Sequence, residues 1–108
     1  MDEQAIENAV RQKGLTAPRL TPDDIDALIV GEQYHRFEGT TVTVCCLHLR
    51  NGYCVIGESA AVSMENFDAE IGRGVARSEA RNKIWALAGY ALKQQLYEQA
   101  GDSAVRLP

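Results

Sequence analysis

TTVTVCCLHLRNGYCVIGES, residues 40–59, reads as a β-hairpin, and that reading decides the fold. Asn51-Gly52 between β-branched and apolar runs is a strong hairpin signal, because both central residues of a two-residue type I′ turn need positive φ. Such a turn pairs Arg50 with Tyr53, Leu49 with Cys54, Leu47 with Ile56 and Cys45 with Glu58. Side chains alternate between faces along a strand, so Leu47, Leu49, Cys54 and Ile56 are expected in the core. Val42, Val44, Cys46 and Val55 fall on the opposite face, with His48 and Arg50 toward the tip. Both faces are partly apolar. One layer of helix cannot cover two faces, so a second layer or a partner subunit is expected.

Downstream, a helix is expected from Asn66 or Asp68 to about Gln99, ahead of Gly101-Asp102. Some 30 residues at ~1.5 Å each span roughly 45 Å. A domain of this length has a radius of gyration of ~13 Å. The helix therefore either breaks, with Gly72, Gly74 and Gly89 as candidate points, or it protrudes and meets another chain. Its apolar set (Ile71, Val75, Ile84, Trp85, Leu87, Ala88, Ala91, Leu92, Leu96) widens around the circumference toward the C-terminal half, as in helices buried on several sides.

Upstream, Thr21-Pro22-Asp23-Asp24 starts a helix: a capping threonine, proline at the first helical position, and two carboxylates at the positive end of the dipole. That helix carries Ile25, Leu28 and Ile29 on one side and is expected to end around Gly31. Tyr34 to Phe37 alternates as a short strand would and offers a third strand. Residues 2–13 form an amphipathic helix with Ala5, Ile6, Ala9 and Val10 on one face, stopped at Gly14. The expected fold class is α+β: a β-hairpin, extendable to a three-stranded antiparallel sheet, packed on helices with a long C-terminal helix. Residues 1–108 make one domain, divided into an N-terminal helix and connector (1–20), a core (21–99) and a flexible tail (100–108).

The chain has 108 residues, 45% of them apolar, and a net charge of −4. That is ordinary for a globule and gives no overall attraction to nucleic acid or anionic lipid. No run approaches the ~18 apolar residues of a membrane span. The acidic start, Met1-Asp-Glu-Gln-Ala-Ile-Glu, is unlike a signal peptide, so no membrane role and a cytoplasmic location are expected. Cys45, Cys46 and Cys54 read as buried small hydrophobes in a reducing compartment.

No catalytic constellation stands out, and no catalytic, cofactor or metal residue is assigned; the chain is not expected to be an enzyme. There is no Cys-x-x-Cys or His-x-x-x-His pair, and Cys45 and Cys46 point to opposite faces of a strand. Cys46 and His48 share a face but lack an acidic third member. Gly72-Arg-Gly74 is too short for a phosphate loop and follows no strand. Arg73, Arg77 and Arg81 are four residues apart and stripe one helical face, which could track phosphates with Arg50 at the hairpin tip as a further contact. The alternative is a solvated face laced by Glu70–Arg73 and Glu79–Lys83 pairs, and the acidic balance of the chain favours it. Glu58, placed opposite Cys45, is expected to lean on the core and meet a backbone donor or an arginine.

Taken together, Arg36-Phe37, Thr41-Val-Thr-Val-Cys45, Leu49-x-Asn51-Gly52-x-x-Val55-x-Gly57-Glu-Ser-Ala60, Asn66-Phe-Asp-Ala-Glu70-x-Gly72, Ala76-x-x-x-Ala80 and Lys83-Ile-Trp85-x-Leu87-x-Gly89-Tyr90-x-Leu92 form a joint pattern. It resembles a family of small tailed-phage proteins, the Gp-forty-nine-like family of coli and Shigella phages, over roughly residues 20 to 96. The resemblance implies a phage or prophage origin and expression in the bacterial host cytoplasm; it implies no reaction. A second likeness, Gly72-Arg-Gly-Val-Ala-Arg-Ser78-x-Glu-Ala80-Arg, looks like the closing helix of double-stranded RNA-binding domains, though without their run of lysines. The expected function is that of an accessory protein acting by binding, to a host or phage protein, as a homodimer. The alternative is a nucleic-acid-binding module using Arg73, Arg77, Arg81 and Arg50.

Overall fold

The computed structural model describes residues 2–101 and runs α1 (Glu3–Gln12), α2 (Pro22–Leu28), β1 (Ile29–Arg36), β2 (Thr43–Leu49), β3 (Cys54–Ser59), a 3-10 turn (Met64–Asn66) and α3 (Ala69–Ala100). The class is α+β, with one antiparallel sheet in the order β1-β2-β3. Most of the tail expected to be flexible lies outside the described residues.

Thr21 and Asp24 start α2 with a reciprocal capping box, Asp24 N–H donating to Thr21 Oγ1 at 3.1 Å and Thr21 N–H to Asp24 Oδ2 at 2.9 Å. The helix does not reach Gly31, because the β-branched pair Ile29-Val30 opens β1 instead. The third strand offered by residues 34–37 is the C-terminal end of this longer one, and β1 pairs with β2 from Ile29↔Leu49 to Arg36↔Thr43.

The hairpin is present, but its register is one residue from the expected one. Observed partners are His48↔Cys54, Leu47↔Val55, Cys46↔Ile56, Cys45↔Gly57, Val44↔Glu58 and Thr43↔Ser59. Gly52 N–H donates to Leu49 O at 2.9 Å, and Leu49 N–H donates to Tyr53 O at 2.8 Å. Among the described residues only glycines have positive φ, Gly52 at 91°, so Asn51 cannot serve a type I′ turn. The loop is the three-residue form, an ordinary turn over Arg50-Asn51 closed by a left-handed glycine bulge. A slip of one moves every β3 side chain to the other face. Val55 and Gly57 therefore face the core, while Cys54, Ile56 and Glu58 are exposed.

Gly57 facing the core explains how α3 docks. The helix lays Ala76, Ala80, Ile84 and Ala88, four residues apart, along one buried stripe. They close a core with Ile25 of α2, Cys45, Leu47 and Leu49 of β2, and Val55 of β3. Ser59 Oγ donates to Gly72 O at 2.6 Å and pins the end of β3 to the first turns of the helix. None of Gly72, Gly74 or Gly89 breaks α3, which is a single helix of 32 residues capped by Asp68. At ~1.5 Å per residue it is about 48 Å long, and the molecule is elongated to match, 57 × 32 × 29 Å.

Candidate functional site

The arginine stripe is largely drawn into the fold. Arg81 is the most enclosed: Nε donates to Asp26 Oδ1 at 2.8 Å, Nη1 to Glu3 Oε2 at 2.5 Å, and Nη2 to the Pro22 carbonyl at 3.3 Å. Its pKa is pushed upward by the Glu3 and Asp26 carboxylates that accept from it. Arg77 Nε donates to Glu32 Oε2 of β1 at 2.6 Å. Arg73 is exposed and has no ion pair among the described residues. Arg50 lies at the hairpin tip beside Ala88 and Ala91, some 15 residues and so ~22 Å along α3 from Arg73. Arg50 and Arg73 are thus far apart along the helix, and Arg77 and Arg81 are engaged by carboxylates of the fold. Neither expected helix pair forms: Lys83 Nζ donates to Ile56 O at 2.5 Å, and Glu79 Oε1 accepts from the Glu58 N–H at 3.4 Å. Both contacts cover outward backbone groups of β3 and so blunt that sheet edge. Glu58 itself is exposed and paired with Val44, against the expectation of a core-leaning carboxylate.

Two carboxylates of α1, Glu3 and Glu7, hold that helix in place. Glu3 Oε2 also accepts from Trp85 Nε1 at 2.9 Å, and Glu7 accepts both Arg19 Nη groups at 2.5 and 3.0 Å. Arg81 holds the Glu3 carboxyl below the usual range, with burial opposing and Trp85 assisting; Arg19 does the same for Glu7. A depressed folded-state pKa contributes stability above the ordinary carboxylate value, about 4.3, and loses it as pH falls through the lower folded value. Acidification should therefore release α1 before the core opens. Trp85 is the only tryptophan, so its emission should shift to the red below about pH 4, before helical circular dichroism collapses. A Glu3→Gln variant should lose most of that early step. Coincident transitions in the two signals would count against a separate release of α1.

The outer face of the sheet carries the grouping that sequence reasoning missed. In the observed register Gln33, His35, Val44, Cys46, His48, Cys54 and Ile56 project from the side away from α3. Cys46, His48 and Cys54 place their ligating atoms within 4.8 Å of one another. His48 Nδ1 lies 3.6 Å from Cys54 Sγ, and His48 Nε2 lies 2.7 Å from Gln33 Oε1. An amide oxygen only accepts, so Nε2 bears the proton and Nδ1 presents its lone pair to the thiol. Burial, with Cys54 beside it, pushes the Cys46 thiol up. The expected register had put Cys54 on the opposite face, which is why the cluster stayed hidden. The available signal was Gly57 together with Ala76-x-x-x-Ala80: small residues on both sides mark a close strand–helix approach. Among the described residues, no helix is long and apolar enough to cross a membrane.

Comparison with known proteins gives one match. The model of a family described as phage protein (N4 Gp49/phage Sf6 gene 66) covers residues 20–96. No curated protein and no solved structure matches the chain.

Proposed function

This chain belongs to the phage protein (N4 Gp49/phage Sf6 gene 66) family, and we propose that it is a phage or prophage accessory protein that works by binding another protein in the host cytoplasm, without catalysis. One observation carries this reading: none of the described residues covers the outer face of the sheet, although much of it is apolar. Ile56 is 45% exposed and Phe37 51%, beside half-buried Val44 and Cys46. Apolar side chains grouped on one uncovered sheet face are what an interaction surface looks like before its partner is added. Among the described residues of the three strands, Glu58 is the only formally charged side chain on it, so two copies can meet there with little like-charge repulsion. A twofold dimer requires a face that complements itself. We assign a second copy of the chain as its first occupant.

The test is mass by light scattering on wild type and Ile56→Glu. Wild type should weigh two chains at tens of micromolar, and the variant one. Because Ile56 is exposed, the variant should keep its unfolding midpoint. A monomeric wild type overturns the dimer. A monomer that also shows no Ile56-dependent crosslink to any host or phage protein overturns the binding reading altogether.

A further inference from the structure

We propose that Cys46, His48 and Cys54 bind a zinc ion on the outer face of the sheet. His48 and Cys54 are directly opposite each other. Backbone bonds join Leu49 to Tyr53, so by alternation His48↔Cys54 is a non-hydrogen-bonded pair, the kind whose side chains approach most closely. Cys46 is two residues along β2 from His48 and completes a triangle whose ligand atoms lie within 4.8 Å of one another. A tetrahedral zinc with Zn–S of ~2.3 Å and Zn–N of ~2.0 Å holds neighbouring ligand atoms about 3.5–3.8 Å apart. The 3.6 Å between His48 Nδ1 and Cys54 Sγ already meets that spacing. Cys46 Sγ, no more than 4.8 Å from either, has at most about 1 Å to move to reach the same spacing.

The surroundings of the histidine point the same way. A ligating imidazole needs its second nitrogen bonded to an acceptor, which fixes the tautomer and the ring plane. Gln33 Oε1 does this from the neighbouring strand at 2.7 Å. Two cysteines and one histidine leave the fourth position for water. Binding then follows Zn²⁺ + 2 R–SH + imidazole → a neutral bis-thiolate complex + 2 H⁺, both protons passing to the buffer and no electrons moving. The reading is independent of whether the face also pairs with a second copy, since all three ligands and the supporting glutamine come from one chain.

Cobalt(II) added to reduced, metal-stripped protein tests it. One equivalent per chain should produce a thiolate-to-cobalt charge-transfer band and visible bands of tetrahedral intensity, and zinc should displace both. Cys54→Ser and His48→Ala should each abolish the bands. Gln33→Ala should weaken zinc binding about 10–100-fold, and His35→Ala, on the same face, should leave binding intact. Cys54 is exposed and His48 half-buried, so circular dichroism should confirm folded variants. Bound zinc should also protect Cys46 and Cys54 from alkylation. Bands that never appear, or that persist in Cys54→Ser and His48→Ala, overturn the proposal, as does a Cys46–Cys54 disulfide that forms equally fast with and without zinc.

Discussion

Gly57→Ala should cost about 3 kcal/mol or more, a large share of the ~5–15 kcal/mol that usually holds a domain folded. A Cβ at Gly57 would lie 2.2 Å from the Ala76 carbonyl oxygen and 2.3 Å from the Ala80 amide nitrogen. Both are backbone atoms of α3, so no rotamer can turn aside. Relief requires β3 to lift from the helix, and lifting exposes Val55, Leu47 and Ile84, which are now buried. Ala80→Gly cannot rescue the variant, because the obstructing atoms are not side chain. Gly74→Ala is the contrasting control: no atom lies within 4 Å of a Cβ there. It sits inside α3, so alanine should stabilise by about 0.5–1 kcal/mol. Urea denaturation measures both. A Gly57→Ala midpoint close to wild type would mean that α3 does not rest on the strand as described.

The close approach at Gly57 also shows how far the sequence could be read. The hairpin, the three helices and the α2 cap were legible because each depends on local chemistry: turn glycine, proline at the first helical position, alternation. The register was not, because Asn-Gly serves both a two-residue and a three-residue loop. Choosing between them by hydrophobicity favours burying Cys54 and Ile56 over Val55 and Gly57. The tertiary structure reverses that choice, since a helix can pack tightly on a glycine flanked by alanines. That single slip hid the Cys46–His48–Cys54 cluster and misplaced Glu58. The arginine stripe was legible as a stripe only. Its partners Glu3, Asp26 and Glu32 are 45 to 78 residues away in sequence, and no helical spacing rule reaches them.

Arg81→Ala should destabilise the protein by about 2 kcal/mol, the scale of hydrogen bonds to charged groups when one partner is removed. Its side chain is only 15% exposed, and it satisfies Glu3, Asp26 and the Pro22 carbonyl together. Truncation strands all three and frees the end of α1, so Trp85 emission should shift to the red even at neutral pH. Arg77→Ala should cost far less, because Arg77 and Glu32 are 38% and 43% exposed and such pairs are worth ~0–1 kcal/mol. Arg73→Ala should fall within about 0.5 kcal/mol of wild type. The graded order 73, 77, 81 in urea unfolding is the test, and three equal values would overturn it. The series also decides how the nucleic-acid alternative can be examined. A triple alanine variant would lose binding simply by loosening the fold, so phosphate contact is read from Arg73→Ala alone. If that variant lowers RNA or DNA affinity while stability holds, and the slope of log affinity against log salt flattens by roughly one, the exposed start of α3 touches phosphate. An unchanged slope leaves the stripe as the clamp that fastens α1, α2 and β1 to the long helix.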